Sequence, residues 1–345
     1  MQNQRKVRIG FIFRLLANSY NYHGMTLRTK TSKESRFPMG HQPLTPTMMV
    51  QLAAPHTWSA AIMPVVLGVA YAFAVGAEIS ISLALSMLVI AVLMQSAVNT
   101  LNDYMDYRKG TDTLDNQLDP TDAVLVYNNV DPAAVLRYFI VLMVVAFVLG
   151  LTVVIRSSWI TLALGVVAAL VIVFYSVGKT PLSYLPLGEF ASGFTMGGLI
   201  TLATCYVLIG EFSWVYLLIS LPLILSIGLI NMTNNTCDIE KDIEAARKTM
   251  SVVLGRKKSV AVYRVYMLVI ELSIIVLTAV FFPGGLMVCL LMVLAFIPGF
   301  KALWNNPLVM KTRGPAMGQV VMLNIVLGTF YSLAIAVGGH IALVL

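Results

Sequence analysis

From Ile79 to Asn102 the chain runs for 24 residues without a charged side chain, and the next residue is an aspartate. About 20 uncharged apolar residues are what a helix needs to cross a bilayer. In lipid the backbone polar groups of such a run must be satisfied within the segment, so it folds as a helix. Apolar runs recur at Trp58–Ala77, Pro132–Ile155, Ser157–Tyr175, Phe190–Ile209, Phe212–Asn231, Val262–Phe282, Leu286–Phe300 and Met317–Val344, interrupted by charge only at Arg137, Arg264 and Glu271. Nine runs predict an all-α, polytopic membrane protein with nine transmembrane helices. With 58% hydrophobic and only 11% charged residues, a soluble domain is excluded. Interior glycines such as Gly197 and Gly198 are expected where helices approach closely.

Charge supplies an independent test of that count. With the amino terminus on the cytoplasmic side, 22 of the 23 Lys and Arg residues fall on that side, and only Arg156 falls on the other. Cytoplasmic loops of membrane proteins carry such an excess, so both the count and the orientation are supported. The expected location is the cell inner membrane, with an organellar membrane as the alternative. The net charge of +7 resides in residues 1–46, where eight basic residues stand against Glu34. A basic arm beside a membrane rests on the anionic headgroups of a lipid bilayer. The arm's composition also fits an organellar transit peptide, and starts at Met25, Met39 or Met48 stay open. The expected division is therefore an arm, 1–46, and a nine-helix domain, 47–345. No nucleic-acid partner is indicated, because nothing beyond charge points to one. Cys205, Cys237 and Cys289 are too few and too scattered for a disulfide framework or a zinc site.

Two acidic stretches stand at the ends of apolar runs. The first, Asn99–Asp112, reads NTLNDYMDYRKGTD. Asn102, Asp103 and Asp106 fall within about one helical turn, and residues four apart share a helix face, so Asn102 and Asp106 point to the same spot. The second, Asn234–Asp242, reads NNTCDIEKD and places Asn234, Asp238 and Asp242 on one face by the same step of four. Solvated helix ends are often acidic, which would account for one such stripe. Two matched stripes on one side of the membrane point instead to a ligand. Asparagine and carboxylate oxygens without His or Cys favour Mg²⁺ over zinc, and Mg²⁺ commonly carries phosphate oxygens. The neighbouring Arg108, Lys109, Lys179, Arg247 and Lys248 fit the same diphosphate. Lys257 and Lys258 fit better as headgroup anchors. A diphosphate at a bilayer edge, with apolar helices behind it, implies a polyprenyl diphosphate. Asp106 and Asp238 are then the carboxylates on which transfer depends. Lys179 would meet diphosphate oxygens, and Tyr175, four residues earlier, would place its ring against a carbocation or an aromatic substrate. The alternative is a snorkelling Lys beside an interfacial Tyr, as at many bilayer edges.

These residues carry a resemblance to a known family. From about Pro55 onward the chain resembles the UbiA superfamily of intramembrane prenyltransferases, and within it the MenA type, which prenylates 1,4-dihydroxy-2-naphthoate for menaquinone. NDYMDYRKGTD, including Gly110 and Asp112, is similar to that branch's first motif, and NNTCDIEKD to its second. GKTPLSYLPLGE, Gly178–Glu189, looks like its connector, and Arg247 and Thr249 fall where the branch has Lys and Thr. Three features depart from the branch: Ile243 replaces a usual Arg, Pro55-His56-Thr57-Trp58 replaces the usual Arg-Pro-Lys-Thr, and the first loop continues as DNQLDPTDAVLVYNN, Asp115–Asn129, which is more acidic than the branch's loop. The resemblance implies nine helices bundled around a central cavity and Mg²⁺ as cofactor. It implies metal ligation by Asn102, Asp103, Asp106, Asp112, Asn234, Asp238 and Asp242, and an aromatic acceptor. Other acceptors, such as 4-hydroxybenzoate, homogentisate or a lipid glycerol, are the sister readings. A membrane transporter is the reading from another class, but its working carboxylates would sit near mid-membrane. Here only Glu271 does, and it is expected to be a buried helix contact.

Overall fold

The computed structural model describes residues 40–113 and 123–339. Among these residues there is no strand, only an isolated bridge between Gln42 and Val130. The elements are α1 (Pro46–Ala53), α2 (Ser59–Ala74), α3 (Ile81–Lys109), α4 (Val124–Asn128), α5 (Pro132–Arg156) and α6 (Trp159–Ser176). They continue as α7 (Gly188–Ile209), α8 (Val215–Cys237), α9 (Ile239–Glu244), α10 (Met250–Leu254), α11 (Arg256–Phe281), α12 (Leu286–Trp304) and α13 (Arg313–Val337). Among the described residues eight helices are long and apolar enough to cross a membrane, and nine spans result when the bent pair Pro46–Thr57 with α2 is counted as one. The arm up to residue 39, and Asp115, Asp119 and Asp122 of the first polar loop, lie outside the described residues.

The ninth span is broken for a local reason. Thr45 caps α1, its Oγ1 accepting from the Met48 N–H, and Pro46 fits the first turn, where no N–H is needed. α1 stops at Ala54, which takes a left-handed φ of 46°, and a 3₁₀ turn at Pro55–Thr57 leads into α2 at a 54° bend. Polar bonds to α3 hold this corner. Thr57 Oγ1 accepts from Gln95 Nε2 at 3.0 Å and from Asn99 Nδ2 at 2.8 Å, while Trp58 Nε1 donates to Ser96 Oγ at 3.1 Å. The segment where the sequence departs from the MenA branch is thus the corner fastened to the helix of the first motif.

α3 has 29 residues, about 44 Å at the α-helical rise. That exceeds the ~30 Å hydrocarbon core, so its last turns carry the first motif beyond it. Gly110 ends it with a φ of 68°, and its neighbour Thr111 donates its N–H to the Asp106 carbonyl. The compact unit begins at Gln42, ahead of the boundary expected at residue 47. Gln42 exchanges backbone bonds with Asn129 and Asp131, and Leu44 and Met48 pack on the cluster of Leu52, Val124, Leu125, Val130 and Val135.

The helices differ in which medium they face. α5, α6, α11 and α12 expose large apolar side chains such as Phe147, Leu151, Leu170, Leu272 and Leu290, as expected where lipid is the solvent. α7 and α8 are mostly buried, and α2, α8, α11, α12 and α13 share the main core around Leu67, Met232, Tyr263, Leu323 and Tyr331. α7 lies against α8 through Gly193 and Gly197. A Cβ on Gly197 would come within 2.6 Å of the Ile224 backbone nitrogen, whereas one on Gly198 would meet only side chains. The close approach therefore uses Gly193 and Gly197 rather than the Gly197–Gly198 pair. Glu271 is half-buried on α11.

Candidate active site

A cavity of about 280 Å³ opens where α3, α6, α7, α8 and α13 meet. Its polar wall contains Asn102, Asp103, Asp106 and Asp112 from the first motif, and Asn234 and Asp238 from the second. Ile172, Thr195 and Met196 border both this cavity and an apolar one of about 190 Å³ between α3, α5, α6 and α7.

The first motif lies on one continuous helix. Asn102 Nδ2 donates to Asp106 Oδ2 at 3.2 Å, the i,i+4 contact expected from the spacing. Ser176, at the end of α6, donates to Asn102 Oδ1 at 3.2 Å and thereby seats the motif against the next helix. Asp103 faces elsewhere with one oxygen: its Oδ2 accepts from the Val124 N–H at 3.1 Å and so anchors α4, while Oδ1 is buried without a partner. Asp112 lies beyond the helix and receives Lys241 Nζ at 2.7 Å.

The second motif straddles a break. Asn234 ends its stripe on α8, Asp238 caps the helix with φ −100°, and Asp242 lies on α9. Arg313, in the first turn of α13, donates from Nε and Nη2 to Asn234 Oδ1 at 3.1 and 2.7 Å, and from Nε to Asp238 Oδ2 at 3.2 Å. Thr249 Oγ1 donates to Asp242 Oδ2 at 3.1 Å.

Arg247 ties the two motifs together. Its Nη1 lies 3.8 Å from Asp106 Oδ2 and 3.5 Å from Asp242 Oδ1. Burial works against its charge, but Asp106 and Asp242 outweigh that and hold the guanidinium above its ordinary value. Burial raises the Asp242 carboxyl to about 6 in spite of Arg247. Burial likewise raises Asp112 against the pull of Lys241. Tyr184, in the connector, gathers two cations: Lys109 Nζ lies 4.4 Å and the Arg247 guanidinium 4.7 Å from its ring centroid. Its hydroxyl bonds Thr111 Oγ1 at 3.0 Å. Lys109 also donates to the Ser176 carbonyl at 2.9 Å.

Of the cations expected at the site, the structure brings in Arg247 and Lys109. Arg108 is exposed, with its guanidinium 6.0 Å from the Tyr104 ring centroid. Lys179 and Lys248 are exposed and outside the cavity lining. Tyr175 lines the cavity from the last turn of α6, and its hydroxyl accepts from Asn231 Nδ2 at 2.6 Å. Sequence reasoning passed over Arg313, Lys241 and Tyr184. Lys241 was inside a quoted motif and Tyr184 inside a quoted connector. Arg313 lies between the last two apolar runs, outside either motif. Among the described residues no three His, Cys, Asp or Glu side chains converge on one point, because Arg and Lys side chains are interleaved with the carboxylates.

Comparison with known proteins adds the family. A 1,4-dihydroxy-2-naphthoate octaprenyltransferase of Bacillus subtilis is 31% identical over 210 residues, 61% of this chain and 67% of that protein. The UbiA prenyltransferase domain-containing protein 1 of Gallus gallus is 30% identical over 213 residues, 61% of this chain and 63% of that protein. The chain thus spans about two thirds of the length of these relatives. Among solved structures, a UbiA homologue of Archaeoglobus fulgidus bound to GPP and Mg²⁺ superposes with a TM-score of 0.57 at 13% identity, over 84% of this chain and 99% of that one. At that identity the likeness shows the shared fold. The model of the UbiA prenyltransferase family matches residues 61–309, most of the chain and both acidic motifs. The chain belongs to the UbiA prenyltransferase family and is a membrane-embedded prenyltransferase.

Proposed function

We propose that the protein transfers a polyprenyl chain from polyprenyl diphosphate to an aromatic acceptor, 1,4-dihydroxy-2-naphthoate, with Mg²⁺ as cofactor. The observation that carries this reading is Arg247 reaching one carboxylate of each motif across the mouth of a cavity that passes into apolar walls. The Bacillus subtilis relative supports the acceptor.

The donor set fits a hard cation. It is built from carboxylate and amide oxygens, and Asp103 Oδ1 is buried and unpartnered in the cavity wall. Asn102, Asp103, Asp106 and Asp112 would hold Mg²⁺ on one side, and Asn234, Asp238 and Asp242 on the other. When bound, Mg²⁺ neutralises charge that develops on the diphosphate as the allylic C–O bond breaks. Arg247, Lys241, Lys109 and Arg313 add positive charge around the same oxygens, and Lys179 and Lys248 supply a more distant field at the mouth. Arg108 would contribute in the same outer way. The chain of the substrate lies in the apolar cavity between α3, α5, α6 and α7. Tyr175 presents its ring to the allylic carbon, where an aromatic face favours positive charge. Burial of the site within the bundle keeps water from competing with the acceptor.

The charge split supports a cytoplasmic amino terminus and cytoplasmic motif loops in the cell inner membrane. A reporter in the Lys241–Lys258 loop is expected to read as cytoplasmic and one after Leu345 as external. The function is tested with purified protein, Mg²⁺, labelled polyprenyl diphosphate and a panel comprising dihydroxynaphthoate, 4-hydroxybenzoate, homogentisate and a lipid glycerol. A prenylated naphthoate product by mass is expected. A product from another acceptor alone overturns the acceptor, and turnover undiminished by chelator overturns the cofactor.

A further inference from the structure

Arg313 is an unusual side chain for its position. It stands in the first turn of α13, where the helix dipole disfavours a cation. It is nonetheless mostly buried, at 18% side-chain exposure, and it lines the cavity. It bonds the second motif, 75 to 79 residues away in the chain: Asn234 Oδ1 accepts from its Nε and Nη2, and Asp238 Oδ2 from its Nε, at 2.7–3.2 Å. These are two oxygens that a metal at the second motif would use. The first motif has a different arrangement, in which Asp106 is met by an amide at 3.2 Å and a guanidinium at 3.8 Å.

We propose that Arg313 is a competing cation at the second motif, which a divalent metal must displace from Asn234 and Asp238 and which then binds a diphosphate oxygen of the substrate. The inference rests on the metal-dependent reading above and adds a residue, and an order of events, to it. Three features support it. The oxygens are shared, so Arg313 and a metal cannot both hold them fully. The guanidinium carries five donors, so it can leave a carboxylate for a diphosphate without losing charge-assisted bonds. Arg313 lines the same cavity as Asp106 and Asp112, so a diphosphate held between the motifs would come within its reach.

The two steps have opposite signs, and that gives the test. Divalent-ion binding to the purified full chain is measured calorimetrically with Mg²⁺ alone, and the KM for geranylgeranyl diphosphate is measured at saturating Mg²⁺. Arg313→Gln is expected to tighten Mg²⁺ by about tenfold, because the competitor is gone, and to raise the diphosphate KM by about tenfold. Arg313→Lys, which keeps the charge but loses the planar fork, is expected between wild type and Arg313→Gln on both axes. A purely structural role would weaken both affinities together, and that result overturns the proposal, as does an unchanged Mg²⁺ affinity. Wild-type protein that binds no Mg²⁺ overturns instead the metal reading on which the proposal rests.

Discussion

The two acidic motifs share an Asn-x-x-x-Asp step in sequence and differ in construction. The first keeps its stripe on an unbroken helix, so Asn102 and Asp106 meet as neighbours on one face. The second breaks at Asp238, and its stripe is completed only because α9 resumes at once and Thr249 fastens Asp242. Their counter-charges also differ in origin. Lys109 belongs to the first motif's own helix, whereas Lys241 and Arg247 come from the second motif's loop and reach carboxylates of the first. The second motif draws Arg313 from the last helix. A continuous helix thus presents ligands with local geometry alone, while a broken one depends on distant chain to hold it.

The largest effects are expected where the copies are equivalent. Asp106→Ala and Asp238→Ala should each lower kcat by about 100-fold or more, because each removes a group that organises developing charge. Both variants should remain folded in membranes, checked by their melting temperatures. Wild-type-like turnover in one of them would show that only one motif is used.

Next comes the residue that joins the motifs. Arg247→Ala should lower kcat/KM by about tenfold or more and reduce the melting temperature, because it strands Asp106 and Asp242 as buried like charges. An unchanged melting temperature would mean that the motifs are held apart by helix packing alone.

Tyr184 sharpens the comparison on the side of the first motif. Tyr184→Leu is expected to raise the KM for prenyl diphosphate about fivefold by releasing Lys109 and Arg247, with Tyr184→Phe near twofold and the acceptor KM unmoved. Equal effects of the two variants would locate the role in the Thr111 bond rather than in the ring.

The smallest effect belongs to Lys179. Exposed and screened by solvent, it should raise the prenyl diphosphate KM by less than about threefold when replaced by Ala, leaving the acceptor KM nearly unchanged. A loss as large as that of Arg247→Ala would place its side chain in the cavity during turnover.

Much of this was legible before any coordinates. The apolar runs located the helices, with ends shifted by a few residues. α3 reaches Lys109 rather than Asn102, because Asn102 and Asp106 bond each other across one turn and Asp103 bonds the Val124 N–H, so these side chains do not compete for the helix backbone. The i,i+4 step located Asn102 with Asp106. The spacing points to Lys179 in the connector and to Tyr175 just before it, whereas the structure puts Tyr184 of the connector between two cations. Asp103 shares the motif's helical turn, yet one of its oxygens is turned to the Val124 N–H. That bond depends on where the loop returns, which the spacing of residues does not encode.

The sequence by itself determined the helical class, the membrane setting and the two oxygen-rich stripes. Each of these follows from hydrophobicity and periodicity within a few turns of one segment. Only the tertiary structure decided which cation faces which carboxylate. Lys241 meets Asp112 across 129 residues and Arg313 meets Asn234 across 79. Such pairs form because helix packing, through close approaches such as Gly193 and Gly197 of α7 against Ile224 of α8, carries the loop ends to one mouth of the cavity. A charge on a loop has no partner until that packing is complete.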